Sequence, residues 1–178
     1  MKKKDFSKLK TLKKDDKILL LTHTDMDGAT PIILSQMFDD LEVWHCSNGK
    51  MSYLIKKAIK EGFQYDTILV TDISCTEEDA KMINKFPNSK KLVLLDHHPT
   101  AMYLNNYDWA VVEPFLIEDS YRAPYFQGIE GGHSSGTSLL YDFLDYQGHT
   151  TRLTNKTQIE DYVHQVALYD TWDWYELF

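Results

Sequence analysis

Short apolar runs alternate with amphipathic stretches along the first half of the chain. Lys17 to Thr22 (KILLLT) is apolar without helical spacing and predicts a buried strand. Ala29 to Phe38 follows as a helix, with Pro31 tolerated in its first turn. Glu42 to Cys46 (EVWHC) predicts a second strand, and Met51 to Glu61 a second helix that Gly62 ends. Thr67 to Thr71 (TILVT) is the third strand. Thr76 to Phe86 is the third helix, where Thr76 with Asp79 three residues later has the form of a capping box. Lys91 to Leu95 (KLVLL) is the fourth strand. Near-continuous apolar strands separated by helices imply a parallel sheet covered on both faces, a three-layer α/β/α domain.

After Leu95 the rhythm breaks. Residues 99 to 132 carry Pro99, Pro114, Pro124 and several glycines, which predicts mostly loop with one short strand near Ala110 to Val112. This segment is expected to shape a pocket. Helices return at about Ser135 to Tyr146 and Gln158 to Tyr169. The first of these reads as amphipathic packing, with Leu139, Leu140, Phe143 and Leu144 on the core side, and carries no assigned chemistry. The lysine-rich start, about residues 1–16, reads as a solvated helix or arm.

A length of 178 residues suits one domain with one sizeable core. No apolar run approaches the roughly 18 residues that span a bilayer, and the N-terminus lacks the apolar segment of a secretory signal. The expectation is a cytoplasmic protein without membrane contact. Cys46 and Cys75 have no metal-type spacing and read as reduced core residues. A formal charge of −8 argues against tight binding of long duplex DNA but leaves small or single-stranded phosphorylated substrates open. Carboxylates gathered around cations can make a locally positive site in an acidic molecule.

In a parallel sheet, ligands bind beyond the carboxyl ends of the strands. The first strand ends in His23, Asp25 and Asp27, the third in Asp72, and the fourth in Asp96, His97 and His98. Seven polar side chains thus converge on one edge. Taken singly, Asp27-Gly28 is a turn, Asp72 a helix cap and His97-His98 a loop pair. A calcium loop starting at His23 is excluded, because its twelfth position is Leu34 instead of glutamate. Asp-Met-Asp-Gly after a strand also opens haloacid-dehalogenase-type phosphatases, in which the first aspartate is a nucleophile. Here three residues, Thr22, His23 and Thr24, stand between the apolar run and Asp25, the acidic pair Asp39-Asp40 lies elsewhere, and the histidines would have no work. A two-metal site uses them all.

These residues resemble the DHH family of phosphoesterases. Its His-x-Asp-x-Asp-Gly motif stands here as His23-Thr24-Asp25-Met26-Asp27-Gly28, its second motif as Asp72 in LVTDIS, and its naming triplet as Asp96-His97-His98 in LLDHHP. A fourth aspartate is expected after a late helix, and Asp170 in VALYDTWDW is similar in setting, with Asp173 the weaker candidate. The resemblance covers essentially the whole chain. It implies one metal held by His23, Asp25 and Asp72, and a second by Asp27, Asp72, His97 and Asp170, with Asp72 bridging and His98 facing the phosphate. One residue between His23 and Asp25 is the spacing of the RecJ-type exonuclease branch, which implies nucleic-acid over pyrophosphate substrates. Relatives usually carry a second domain, called DHHA1, that grips substrate through a Gly-Gly-His segment. The chain ends at Phe178, so the resemblance implies either a minimal protein or the catalytic piece of a longer one. Gly131-Gly132-His133 precedes the fourth motif and reads as a loop into the next helix.

The chemistry implied is a phosphodiesterase cutting terminal nucleotides from short or single-stranded nucleic acid. Phosphatase or cyclic-dinucleotide activity on small nucleotides is the alternative, and a non-catalytic nucleotide-binding module a further one. Two cations roughly 3.5–4 Å apart activate water and stabilise both ends of an in-line displacement. Mixed carboxylate and imidazole ligation suits Mn²⁺ better than Mg²⁺. Asp96 is expected to accept a ring N–H or fix the loop so that His97 points inward, and His98 to serve as general acid. Trp172, Trp174, Tyr175 and Phe178 are read as a packing cluster, with base stacking as the alternative.

Overall fold

The computed structural model describes residues 5–116, 120–126 and 132–177. A five-stranded, all-parallel sheet runs in the order β2-β1-β3-β4-β5, with β1 at Lys17–His23, β2 at Asp40–Cys46, β3 at Thr67–Thr71, β4 at Leu92–Asp96 and β5 at Ala110–Val112. Every residue of β3, β4 and β5 is buried, as the apolar runs require. β2 is an edge strand and half exposed along most of its length.

The period-two alternation of a strand splits the core in two. Ile18, Leu20, Leu69, Val93, Leu95 and Val111 face one side. There they pack against helices α1 (Pro31–Ser35), α4 (Gly136–Tyr146) and α5 (Lys156–Thr171). Leu19, Leu21, Ile68, Val70, Leu92, Leu94, Ala110 and Val112 face the other, against α2 (Met51–Glu61) and α3 (Glu77–Ile83) and the 3-10 segment Pro99–Asn106. The three-layer α/β/α architecture expected from the alternation is therefore present.

Four details depart from expectation. The lysine-rich start is not a solvated arm from residue 5 onward: Phe6, Leu9 and Leu12 are buried beside α4, and the lysines between them reach outward and bond. Lys8 Nζ donates to the carbonyls of Asn105 and Tyr107 at 2.9 and 3.0 Å. The apolar i, i+3, i+6 spacing of these three residues was masked by the charge run. The helix expected over Ala29 to Phe38 shrinks to α1, preceded by a 3-10 turn at Met26–Ala29, because Asp25 caps that turn with its own side chain. The capping box on α3 is half made: Thr76 accepts from the Asp79 amide, but Asp79 pairs with Lys56 at 2.9 Å and the Thr76 amide donates to Ser52. Finally, α4 is not merely amphipathic; Gly136 through Leu144 are all buried, because it lies between the sheet and α5. The two cysteines are free and buried. No described helix is long and apolar enough to cross a membrane.

Candidate metal centre

The chain leaves β1 for β2 on one side and later returns to place β3 on the other, so the strand order reverses between β1 and β3. Such a switch point opens a crevice beyond the strand carboxyl ends. Thr22 pairs with Thr71 and Thr71 with Leu95, so His23, Asp72 and Asp96 emerge at the same level on neighbouring strands. Asp72 has φ +60, a left-handed conformation that non-glycine residues seldom hold, and its amide still donates to the Leu95 carbonyl at 3.0 Å. The sheet thus fixes the base of the crevice while the chain turns sharply out of it.

Six of the eight expected site residues meet in two groups, and a third set overlaps both. Ligand atoms of His23, Asp25 and Asp72 lie within 4.8 Å of one another, so do those of Asp27, His97 and Asp170, and so do those of Asp72, Asp96, His97 and His98. His97 links the two groups, its Nε2 lying 3.2 Å from Asp72 Oδ1 and 3.4 Å from Asp170 Oδ2. Asp170 is not beyond its helix but in the last turn of α5, which runs two residues further than the apolar spacing suggested. Asp173 is in neither group. It is buried and accepts from the His133 amide at 2.7 Å, with the His133 ring at 2.6 Å, so it belongs to the loop leading into α4.

The remaining two residues, Asp96 and His98, form a support. Asp96 is fully buried, and its Oδ1 accepts from the amides of His97 and His98 and pairs with His98 Nδ1 at 2.7 Å. Asp96 thus ties down the His97-His98 backbone, and the ring it pairs with is that of His98. That pairing raises the His98 pKa against the effect of burial. The His98 side chain is half exposed and lines a pocket of about 380 Å³ together with His23, Asp25, Asp72, Asp170, Met51, Ile73, Ser74 and Thr100. Thr100 is the contribution of the 99 to 132 segment.

Asp27 is the residue whose environment the sequence did not reveal. It is fully buried, its Oδ2 accepts from the Gly136 amide at 2.5 Å, its Oδ1 from the Thr137 amide at 2.8 Å, and its carbonyl from the hydroxyls of Thr137 and Thr30. The positive N-terminus of α4 thus holds this carboxylate. Gly136 is required by close approach: a Cβ there would lie 2.5 Å from Asp72 Cβ and 2.8 Å from Asp27 Oδ2. A helix assigned no chemistry positions two of the six candidate ligands, and the signal was the Ser-Ser-Gly-Thr-Ser run at its start.

Electrostatically the site is under-neutralised. Burial, with Asp27 and Asp25 nearby, pushes the Asp72 pKa up to about 7 against the lowering effect of His97. Burial and Asp27 push Asp170 up to about 6. Burial would lower His97, but Asp72, Asp27 and Asp170 outweigh it and raise the ring to about 9. Buried Asp72 Oδ2 and Asp170 Oδ2 make no hydrogen bond. Orphaned carboxylate oxygens and a proton-retaining imidazole among four aspartates make a donor set that fits divalent cations.

No protein-family model matches the chain. Its fold is that of a solved structure titled as an uncharacterised protein from Helicobacter pylori G27, with a TM-score of 0.64 over 88% of this chain and 43% of that one, at 20% identity. In sequence the chain is 31% identical over 162 residues to a Bacillus subtilis (strain 168) protein named oligoribonuclease NrnB. The match takes in 87% of this chain and 37% of the relative, so the chain spans well under half of that protein's length.

Proposed function

We propose that this chain is the catalytic part of a DHH-family phosphoesterase and that it hydrolyses phosphodiester bonds of short single-stranded RNA, releasing terminal nucleotides. The observation that carries the reading is the meeting of His23, Asp25 and Asp72 with Asp27, His97 and Asp170 at one strand-end crevice, in two groups joined through His97. The relative's name supports RNA as the substrate, and the pocket of about 380 Å³ has room for a nucleotide.

His23, Asp25 and Asp72 are assigned to one divalent cation and Asp27, Asp72, His97 and Asp170 to the other, with Mn²⁺ preferred over Mg²⁺ because imidazole and carboxylate share the ligation. Bound there, the cations supply an acidified water and neutralise charge on the phosphoryl oxygens. Asp72, at the floor of the crevice in a strained backbone conformation, is the shared ligand. Asp96 holds the His98 ring at the pocket mouth, where it donates a proton to the leaving oxygen or to a phosphoryl oxygen. Asp27 is held in place by the α4 amides.

The rival with Asp25 as nucleophile is disfavoured by the site. Asp25 pairs with the His23 ring and caps the turn at Met26–Ala29, and no lysine is among the described residues lining the pocket. Chelator-treated protein given Mn²⁺ or Mg²⁺ and a labelled triribonucleotide tests both. Metal-restored release of mononucleotides with no covalent adduct is expected. An aspartyl phosphate on Asp25 by mass spectrometry, or cleavage indifferent to chelation, would overturn the reading.

A further inference from the structure

Beyond the metal groups, α5 ends in a segment that none of this chemistry uses. Trp172 is 63% exposed, Trp174 37% and Tyr175 64%, an exposed aromatic group where such rings normally pack inward. The rings stack on one another: Trp174 and Tyr175 have centroids 3.8 Å apart at 23°, and Trp172 lies 5.9 Å from Tyr175 at 8°. They begin two residues after Asp170.

Nor is this a loose end. Asp173, between the two tryptophans, is 2% exposed and ties the segment to His133 through both its carboxylate oxygens. Fully buried Arg122 lies 3.8 Å from Asp173 and donates to the His133 carbonyl at 2.7 Å. Trp172 itself holds φ +62, which a side-chain-bearing residue adopts only where its surroundings impose it. His133 lies three residues before Gly136, whose amide meets Asp27, and Asp173 lies three residues after Asp170. Both tethers lead back to the candidate ligands, within about 10 Å of chain each.

We propose that Trp172, Trp174 and Tyr175 form the platform on which the base next to the scissile phosphate stacks, anchored to the metal centre by Asp173. This rests on the phosphodiesterase reading and adds a determinant of substrate class: recognition of an unpaired base without sequence preference, since every base has a π-face. A nucleobase is the occupant favoured because the exposed rings begin two residues after Asp170, which lines the pocket that would hold its phosphate.

The test compares wild type with Trp172→Ala/Tyr175→Ala on a 5′-phosphorylated diadenylate and on the same molecule with one base removed. Base stacking of the usual strength predicts that KM for the diadenylate rises about 5- to 150-fold in the variant while kcat changes little, and that the abasic substrate is handled equally by both proteins. An unchanged KM with a lowered melting temperature would mean that the rings serve packing, and would overturn the proposal. Should the double variant not fold, Tyr175→Ala alone carries the same comparison, with a KM increase expected and its absence refuting. If wild type cuts neither substrate, the hydrolytic reading fails by itself. Quenching of tryptophan fluorescence by adenosine 5′-monophosphate but not by ribose 5-phosphate would still support the platform, and equal response to both would refute it.

Discussion

Gly136→Ala adds one methyl group to the most crowded point of the centre. The new Cβ would stand 2.5 Å from Asp72 Cβ and 2.9 Å from Asp72 Cα, against an ordinary carbon–carbon separation of about 3.5–4.0 Å. Backbone must therefore give way by about 1 Å, since neither Asp72 nor the first turn of α4 ends in a flexible side chain at that contact. Moving α4 strains the two amide bonds to Asp27 at 2.5 and 2.8 Å; moving Asp72 shifts the shared ligand. Overpacking of this kind costs about 1–3 kcal/mol of stability, and a misplacement of about 1 Å costs about 10²-fold in rate. The assay is kcat/KM for triribonucleotide hydrolysis, with Mn²⁺ stoichiometry by calorimetry and the melting temperature measured alongside. Gly148→Ala is the comparison, because Gly148 holds φ +77 with nothing within 4 Å of an added Cβ. It should lose about 1–2 kcal/mol of stability from left-handed strain and keep its rate. Gly136→Ala retaining activity within twofold, with wild-type metal binding, would refute the claim that α4 sets the position of both carboxylates.

Three further outcomes are expected. His97→Ala should lose bound Mn²⁺, whereas His98→Ala should retain it and lose about 10²- to 10⁴-fold in kcat; equal metal loss in both would end that division of labour. Mn²⁺ at 100 times its dissociation constant should stabilise the fold by about 2.7 kcal/mol, or about 2–4 °C of melting temperature per kcal/mol, and a flat melting temperature on titration would argue that no cation enters the cluster. Burial pushes the Asp142 pKa up to about 7, against Ser120 and Arg122, so the folded state keeps a proton that the unfolded chain releases near the ordinary carboxylate value. Stability from this group is then full at low pH and lost as pH rises from about 4 to about 7. Asp142→Asn should flatten the fall in melting temperature between pH 5 and 8 measured in chelator, and an unchanged slope would show that Asp142 ionises freely in the fold.

The fold was legible because β1, β3 and β4 are buried on both faces. Nothing but an apolar run can occupy such positions, so the strands stand out against any background. Five of the six candidate ligands were legible for a related reason: parallel strands deliver whatever follows them to one edge, whereas Asp170, in the last turn of α5, was reached only through the family resemblance. What stayed hidden depends on contacts between residues far apart in sequence. Asp27 and Gly136 are 109 residues apart and their bond leaves no periodic trace. The burial of Phe6, Leu9 and Leu12 was concealed because lysines at the intervening positions satisfy themselves at the edge of the core. Asp173 reads in sequence like a second copy of Asp170, and only the His133 loop distinguishes them.

These hidden contacts answer a physical problem posed by the legible ones. Asp25, Asp27, Asp72 and Asp170 are brought into one crevice, and burial makes the charges of Asp72 and Asp170 costlier. The fold offsets this unequally. Asp27 receives a helix N-terminus and two amides, which offset part of its charge. Asp96 receives two amides and a ring nitrogen. Asp72 and Asp170 share one imidazole and, like Asp96, each keep a buried oxygen without a hydrogen bond. Among the described residues, Asp72 on the floor of the crevice and Asp170 on the helix opposite receive no backbone amide in return, which leaves a demand for positive charge between them. On the proposed reading, a cation bound there would offset the charge that burial makes costly.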